Sequence, residues 1–188
     1  MDKFSFKIAK DEQLLQDVFS FRYKILSEIY PEYIQQAQCT NNQEFDKYDD
    51  YAIQYVIVNE NDDMCATVRL IHHSPIGYPT ENSLKFDKSQ FQREHLGEIS
   101  RIFVNKNYRN FKTTKAIIEV VKKMMYDKMK ELEIYYSYGS LEKNFLRLLH
   151  MYKMPYEPLA EPQEHGLFGV RYPCVLYTTK LGKDNGYE

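Results

Sequence analysis

The sequence predicts an α/β fold built on a sheet of mixed direction. Three observations lead there. Segments 11–30 and 112–132 repeat apolar residues at helical spacing. Residues 51–71 hold two short apolar runs around an Asn/Asp turn, the pattern of a hairpin. From residue 97 onward, strand-like and helix-like segments alternate.

In the first helix, Leu15, Val18, Phe19, Ile25, Leu26 and Ile29 fall on one stripe. Residues 31–45 are polar and start with Pro31, so they read as a loop or short helix. YAIQYVIV (51–58) and MCATVRLI (64–71) are strands flanking the turn NENDD, and a long polar stretch follows over 72–95. GEISRIFV (97–104) is a further strand. The second helix turns Ile117, Ile118, Val121, Met124, Met125, Met129 and Leu132 inward. A strand (133–138), a helix (140–152) and a closing strand (168–180) complete the chain. With no repeat, low-complexity tract or linker, residues 1–188 are expected to form a single domain.

Composition excludes several classes. Hydrophobic residues make up 43%, enough for a packed core. The start, MDKFSFKIAKDE, lacks the apolar centre of a secretory signal. No run approaches the roughly eighteen apolar residues of a membrane helix, so no membrane span is expected. Cys39, Cys65 and Cys174 are far apart and odd in number, which argues against a disulfide framework or a metal site and fits a cytoplasmic protein. A net charge of −2 gives no reason to expect nucleic acid. The distribution of charge says more. Residues 28–63 carry a net −8, residues 106–130 a net +6, so one face suits a cation and another a phosphate or an acidic partner. Two solvated faces are the plainer alternative.

Four charged residues interrupt apolar patterns. Arg22 lies in the middle of the first helix's apolar stripe, where a charge needs a carboxylate partner unless it snorkels to the surface. Asp46 and Asp49, in EFDKYDDYA, are the candidate partners. Arg69 interrupts MCATVRLI and shares a strand face with Thr67, a face that is buried around a charge or simply wet. Glu98 and Arg101 lie three apart on one strand. They reach the same face only across a β-bulge; otherwise they are edge charges.

In order and spacing, Arg22, Asp46-x-x-Asp49, Arg69-Leu70 and Glu98-x-x-Arg101 resemble the charged signature of the autoinducer (acyl-homoserine lactone) synthases over residues 20–105. Those enzymes share the fold of the GCN5-related N-acetyltransferases (GNAT). The stretch HGLFGVRYPCVLY is more similar to the N-acyl amino acid synthases, a sister group. The lactone synthases usually carry a tryptophan shortly after the helix-one arginine; this chain has none, and Tyr30 or Tyr33 is the nearest aromatic.

The resemblance implies a single GNAT-like domain with a mixed central sheet flanked by helices. It implies an N-acyltransferase that moves a fatty acyl group from an acyl-carrier-protein thioester to the amino group of a small amino-acid-like substrate. The alternatives are a lactone synthase using S-adenosylmethionine, and a non-catalytic module that binds an acyl carrier. Glu98 is the expected base, with Arg101 beside it orienting carboxylates. A backbone N–H near Ile102 or Phe103 would polarise the thioester carbonyl. Arg22, Asp46, Asp49 and Arg69 would complete the acceptor site. The turn NYRNFKTTK (107–115) has no glycine to form a pyrophosphate cradle. Arg109, Lys112 and Lys115 are therefore expected to take the single phosphate of a phosphopantetheine arm, with acyl-coenzyme A as the other donor carrying that arm. No permanently bound cofactor and no metal are expected. The tyrosine that often protonates the leaving thiolate in acetyltransferases falls near Leu149 or His150, so that role has no assigned residue.

Overall fold

The computed structural model describes residues 3–37 and 39–187. Its strands lie in the sheet order β1-β2-β3-β4-β5-β8-β6, with β7 paired to β8, and helices flank them. The mixed sheet expected from the alternation is present. β1 (Ser5–Ile8) pairs antiparallel with β2 (Ala52–Val58). β4 (Leu96–Val104) and β5 (Tyr136–Leu141) are parallel, and β5 pairs antiparallel with β8 (Val170–Tyr177).

The chain divides into two compact units. The first comprises Met1–Arg69 and Arg101–Val121. It opens with β1 and then α1 (Glu12–Ile29), whose first turn is capped by the Asp11 carboxylate accepting the Leu14 N–H. Val18, Arg22, Ile25 and Leu26 form the buried stripe of α1, whereas Ile29, expected on it, is exposed where the helix ends. Val18 packs on Val56 and Val58 of β2, with Ala9, Leu14, Phe19 and Met64 around them. Pro31 starts the short α2 (Pro31–Gln36). In the turn from β2 to β3 (Met64–His72), the Asn59 side chain accepts the N–H groups of Asn61 and Asp63.

The second unit comprises Leu70–Ser100 and Lys122–Glu188. The polar stretch 72–95 contains α3 (Pro79–Ser83), which gave no helical periodicity because it is barely one turn long. Gly97 is required on β4: a Cβ there would lie 2.9 Å from the Ile71 carbonyl oxygen. β5 begins three residues later than the apolar pattern suggested. The reason is the end of α4 (Phe111–Glu131), where Glu133 takes a left-handed conformation and the Ile134 N–H returns to the Met129 carbonyl. This Schellman-type stop usually carries glycine. Helix α5 (Lys143–Met151) follows, and the short strands β6 (Glu157–Pro158) and β7 (Gln163–Glu164) lie against β8. The closing strand ends at Tyr177 instead of running to 180, because residues from Thr178 form α6 (Thr178–Asn185), capped by left-handed Gly186. Among the described residues no helix is long and apolar enough to cross a membrane.

Candidate active site

Three arginines and three carboxylates form a buried network in the first unit. Arg22 donates from Nε to Glu44 Oε2 at 2.6 Å and grips both oxygens of Asp49, at 2.7 and 3.0 Å. Arg69 reaches Asp46 Oδ1 at 2.7 Å and Asp49 Oδ1 at 2.9 Å through one nitrogen. Arg101 meets Glu44 Oε1 at 2.7 Å, Asp46 Oδ2 at 3.0 Å and the Tyr33 hydroxyl at 3.1 Å. The Tyr33 hydroxyl itself donates to Glu44 Oε1. The Asp46 N–H and the Gln54 side chain hold Asp49 from the other side. With three positive and three negative groups sharing this many hydrogen bonds, the network compensates its own burial.

The structure thus brings Arg22, Asp46, Asp49, Arg69 and Arg101 together. Glu44 was missed as a member. Two arginines, Arg22 and Arg69, were matched with Asp46 and Asp49; Arg101 joins them in the structure, and Glu44, from the same acidic run, supplies the third carboxylate. Tyr33 gave no signal beyond its aromaticity.

Exposure differs sharply within the network. The side chains of Arg22, Arg69 and Glu44 are sealed, whereas those of Arg101 and Asp46 remain 17% and 23% exposed. These two therefore form the network's outer edge. Beside Asp46 and Asp49, Leu15, Phe19, Phe45, Lys47 and Asp50 line a cavity of about 410 Å³.

Burial alone would raise the Glu44 and Asp49 carboxyls, but the arginines override it. Arg101 and Arg22 hold Glu44 down at about 2, and Arg22 and Arg69 hold Asp49 well below the usual carboxylate range. The sign of the pH dependence follows. A carboxyl whose value in the folded state is depressed contributes stability at pH above its ordinary 4.5, and that contribution is lost as pH falls towards about 2. For Glu44 it is on the order of 3 kcal/mol. The urea midpoint is expected to fall steeply from pH 5 to about 2, and less steeply in Glu44→Gln. Parallel acid curves for the two proteins would remove Glu44 from this role.

Within β4, Arg101 takes φ +51°, a left-handed conformation in mid-strand, the irregularity a β-bulge introduces. Ile102 and Phe103, the proposed amide donors, follow it directly and are half-buried. Glu98, on the same strand, belongs to the second unit and has separate partners. Only 2% exposed, it accepts the Thr80 N–H at 2.9 Å and the Thr80 hydroxyl at 2.8 Å. It thereby anchors the first turn of α3 while its own carboxylate is fixed in place. Glu98 faces Tyr138 in the last pair of the β4–β5 register; Ser137 Oγ accepts the next N–H, that of Ile99, and β5 runs on to Leu141.

The basic segment is narrower than its charge count suggests. Lys122 is buried, its ammonium on the Tyr152 carbonyl at 2.9 Å. Lys123 and Lys128 pair with Asp127 and Glu131 on their own helix. Arg109 folds back, donating to the Val104 carbonyl at 2.7 Å. Lys112 and Lys115 are exposed on the first turns of α4. Asn110 accepts the Thr113 N–H with its side chain, so one of the free amides of that helix start is already engaged. Among the described residues no group of three or more His, Cys, Asp or Glu is placed to hold a metal.

Fold and sequence together define an acyltransferase. The profile of the acetyltransferase (GNAT) domain matches residues 21–119, more than half of the chain, and the chain belongs to that family. No curated protein matches it in sequence. Among solved structures it is similar to the acyl-homoserine lactone synthase LasI, with TM-score 0.74 and 12% identity over 98% of this chain and 95% of that one. It is also similar to BjaI, a coenzyme A-dependent acyl-homoserine lactone synthase bound to SAM and isopentyl-CoA; the TM-score is 0.71, with 16% identity over 100% of this chain and 89% of that one. The N-acyl amino acid synthase FeeM, from uncultured soil microbes, superimposes with TM-score 0.67 and 10% identity over 98% and 95% of the two chains. At these identities the likeness establishes a shared fold.

Proposed function

We propose that this protein transfers a fatty acyl group from the thioester of an acyl carrier protein to the amino group of a small amino-acid-like acceptor. The observation that carries this reading is the paired outer edge of the charged network. Asp46 offers a carboxylate to an ammonium and Arg101 a guanidinium to a carboxylate, and a free amino acid presents both groups. The sealed members, Arg22, Arg69, Glu44 and Asp49, hold that edge rigid. Glu98 takes the proton the amine must lose before it can attack. The N–H groups of Ile102 and Phe103, re-aimed by the left-handed turn at Arg101, would stabilise the oxyanion of the tetrahedral intermediate. Relatives on this fold include N-acyl amino acid and lactone synthases, which supports an amine acceptor.

The choice of a carrier protein rests on α4. The segment 107–115 lacks glycine, and its Thr113 amide is capped by the Asn110 side chain, which leaves a poor cradle for the pyrophosphate of coenzyme A. Lys112 and Lys115 stand outward, where a single phosphate and an acidic carrier surface meet them by side chain. Reversing both to Glu is expected to raise the KM for the acyl-carrier thioester at least tenfold and leave the acceptor KM nearly unchanged. The preference over acyl-coenzyme A should shrink with salt, since exposed charges are screened beyond roughly 10 Å at 0.1 M. Equal use of the two donors at low salt, or a reversal without effect, would refute the carrier assignment and favour coenzyme A.

A further inference from the structure

Tyr138 stands opposite Glu98 in the β4–β5 register, and residues paired across neighbouring strands project from the same face of a sheet. It is 0% exposed. Its ring is met edge-on by Tyr78, Phe86 and Phe91, with centroids 6.2, 5.1 and 5.4 Å away, so it cannot swing out to find water. Yet its hydroxyl has no hydrogen-bond partner among the described residues. Neighbouring Tyr78 shows the ordinary solution: its hydroxyl donates to the Leu96 carbonyl. A buried hydroxyl left without a protein partner is unfavourable and calls for an explanation.

The electrostatics say what lies within reach. Burial pushes the Tyr138 phenol up, and the charges of Glu81 and Glu98 push it further, against the pull of Arg93. Glu98 is therefore close enough for its charge to act on the phenol, although the two make no direct bond. When two polar groups face each other across more than a direct hydrogen bond, a water between them satisfies both. An ionised carboxylate has about four acceptor sites over its two oxygens, so bonding to Thr80 does not exclude a water at Glu98.

We propose that Tyr138 is a positioning residue: its hydroxyl and the Glu98 carboxylate hold one water between them, and Glu98 draws the proton of the acceptor amine through that water. This rests on the acyltransfer reading above. The phenol donates to the water oxygen, and the water donates to Glu98. As the amine attacks, its proton passes to the water oxygen while the water's own proton passes to Glu98. The raised phenol keeps its proton throughout. Glu81, Arg93 and Tyr78 also act on the Tyr138 phenol, and Glu98 acts on the buried Tyr156 phenol.

Tyr138→Phe separates this role from a structural one, because it removes only the hydroxyl and keeps the ring among its aromatic neighbours. The expected result is a kcat about tenfold lower or more, with KM for donor and acceptor within about twofold and Tm unchanged or higher. An unchanged kcat, a rise confined to KM, or a lower Tm would overturn the relay. A crystal structure gives a reading independent of turnover: a water within about 3.2 Å of both Tyr138 Oη and a Glu98 oxygen is expected. A Tyr138 hydroxyl bonded instead to a protein group would end the proposal. If the wild-type protein transfers no acyl group, the function falls and the relay with it. If it does and Tyr138→Phe matches it, only the relay falls.

Discussion

Arg22→Met is expected to lower the unfolding free energy by about 3–5 kcal/mol, the usual cost of stranding a buried charge. The substitution keeps length and apolar packing against Phe19, whose ring lies 5.2 Å from the guanidinium carbon. It leaves three carboxylates facing two arginines in a sealed site. Glu44 keeps Arg101 and Asp49 keeps Arg69, but Glu44 loses its bond from Nε and Asp49 its two-pronged grip. Urea unfolding measures the loss. Adding Glu44→Gln to Arg22→Met should recover much of it, because the excess negative charge is then removed; neighbours sharing one network are the residues for which effects do not add. A loss below about 1 kcal/mol for Arg22→Met would mean that the network is not balanced as described.

Glu98→Gln is expected to lower turnover by roughly 10²–10⁴-fold, the range for removing a general base. The amide oxygen of glutamine still accepts the Thr80 N–H, so α3 should stay anchored and Tm should fall only modestly. That separation matters, because Glu98 has two roles: it holds the first turn of α3 and, in the proposed reaction, takes a proton. A Glu98→Gln enzyme with near-normal kcat across pH would leave only the first. A variant whose activity and stability fall together would also point to anchoring alone.

What the sequence made legible follows from periodicity and local burial. The stripe of α1 was clear, and Arg22 stood out because everything around it on that stripe was apolar. The β2–β3 hairpin was clear because NENDD separates two strongly β-forming runs. β1 was invisible: four residues, SFKI, at a sheet edge are too few to establish a period. The displacement of β5 was hidden by Glu133, a non-glycine residue in a left-handed conformation that local propensity does not anticipate. α6 was hidden by its composition, since TTKLGKDN buries chiefly Leu181 and resembles a polar tail.

In the site, charge anomalies could be seen along the chain but their pairings could not. Glu44 reaches Arg101 across 57 positions and Thr80 reaches Glu98 across 18, separations on which spacing is silent. Lys122 misled for the opposite reason. Next to Lys123 in a basic segment, it reads as one more surface charge, whereas it turns inward to the Tyr152 carbonyl.

The central claim is acyl transfer to an amine, and one measurement tests it most directly. Purified protein is incubated with a long-chain acyl-carrier thioester and a pool of amino acids plus S-adenosylmethionine, and the products are read by mass. The account predicts an N-acyl amino acid whose formation releases one free carrier thiol per product and is strongly reduced in Glu98→Gln. A homoserine lactone product would keep the reaction class and replace the acceptor. Intact thioester with no acylated amine, from a folded protein and with either carrier protein or coenzyme A as donor, would contradict the account.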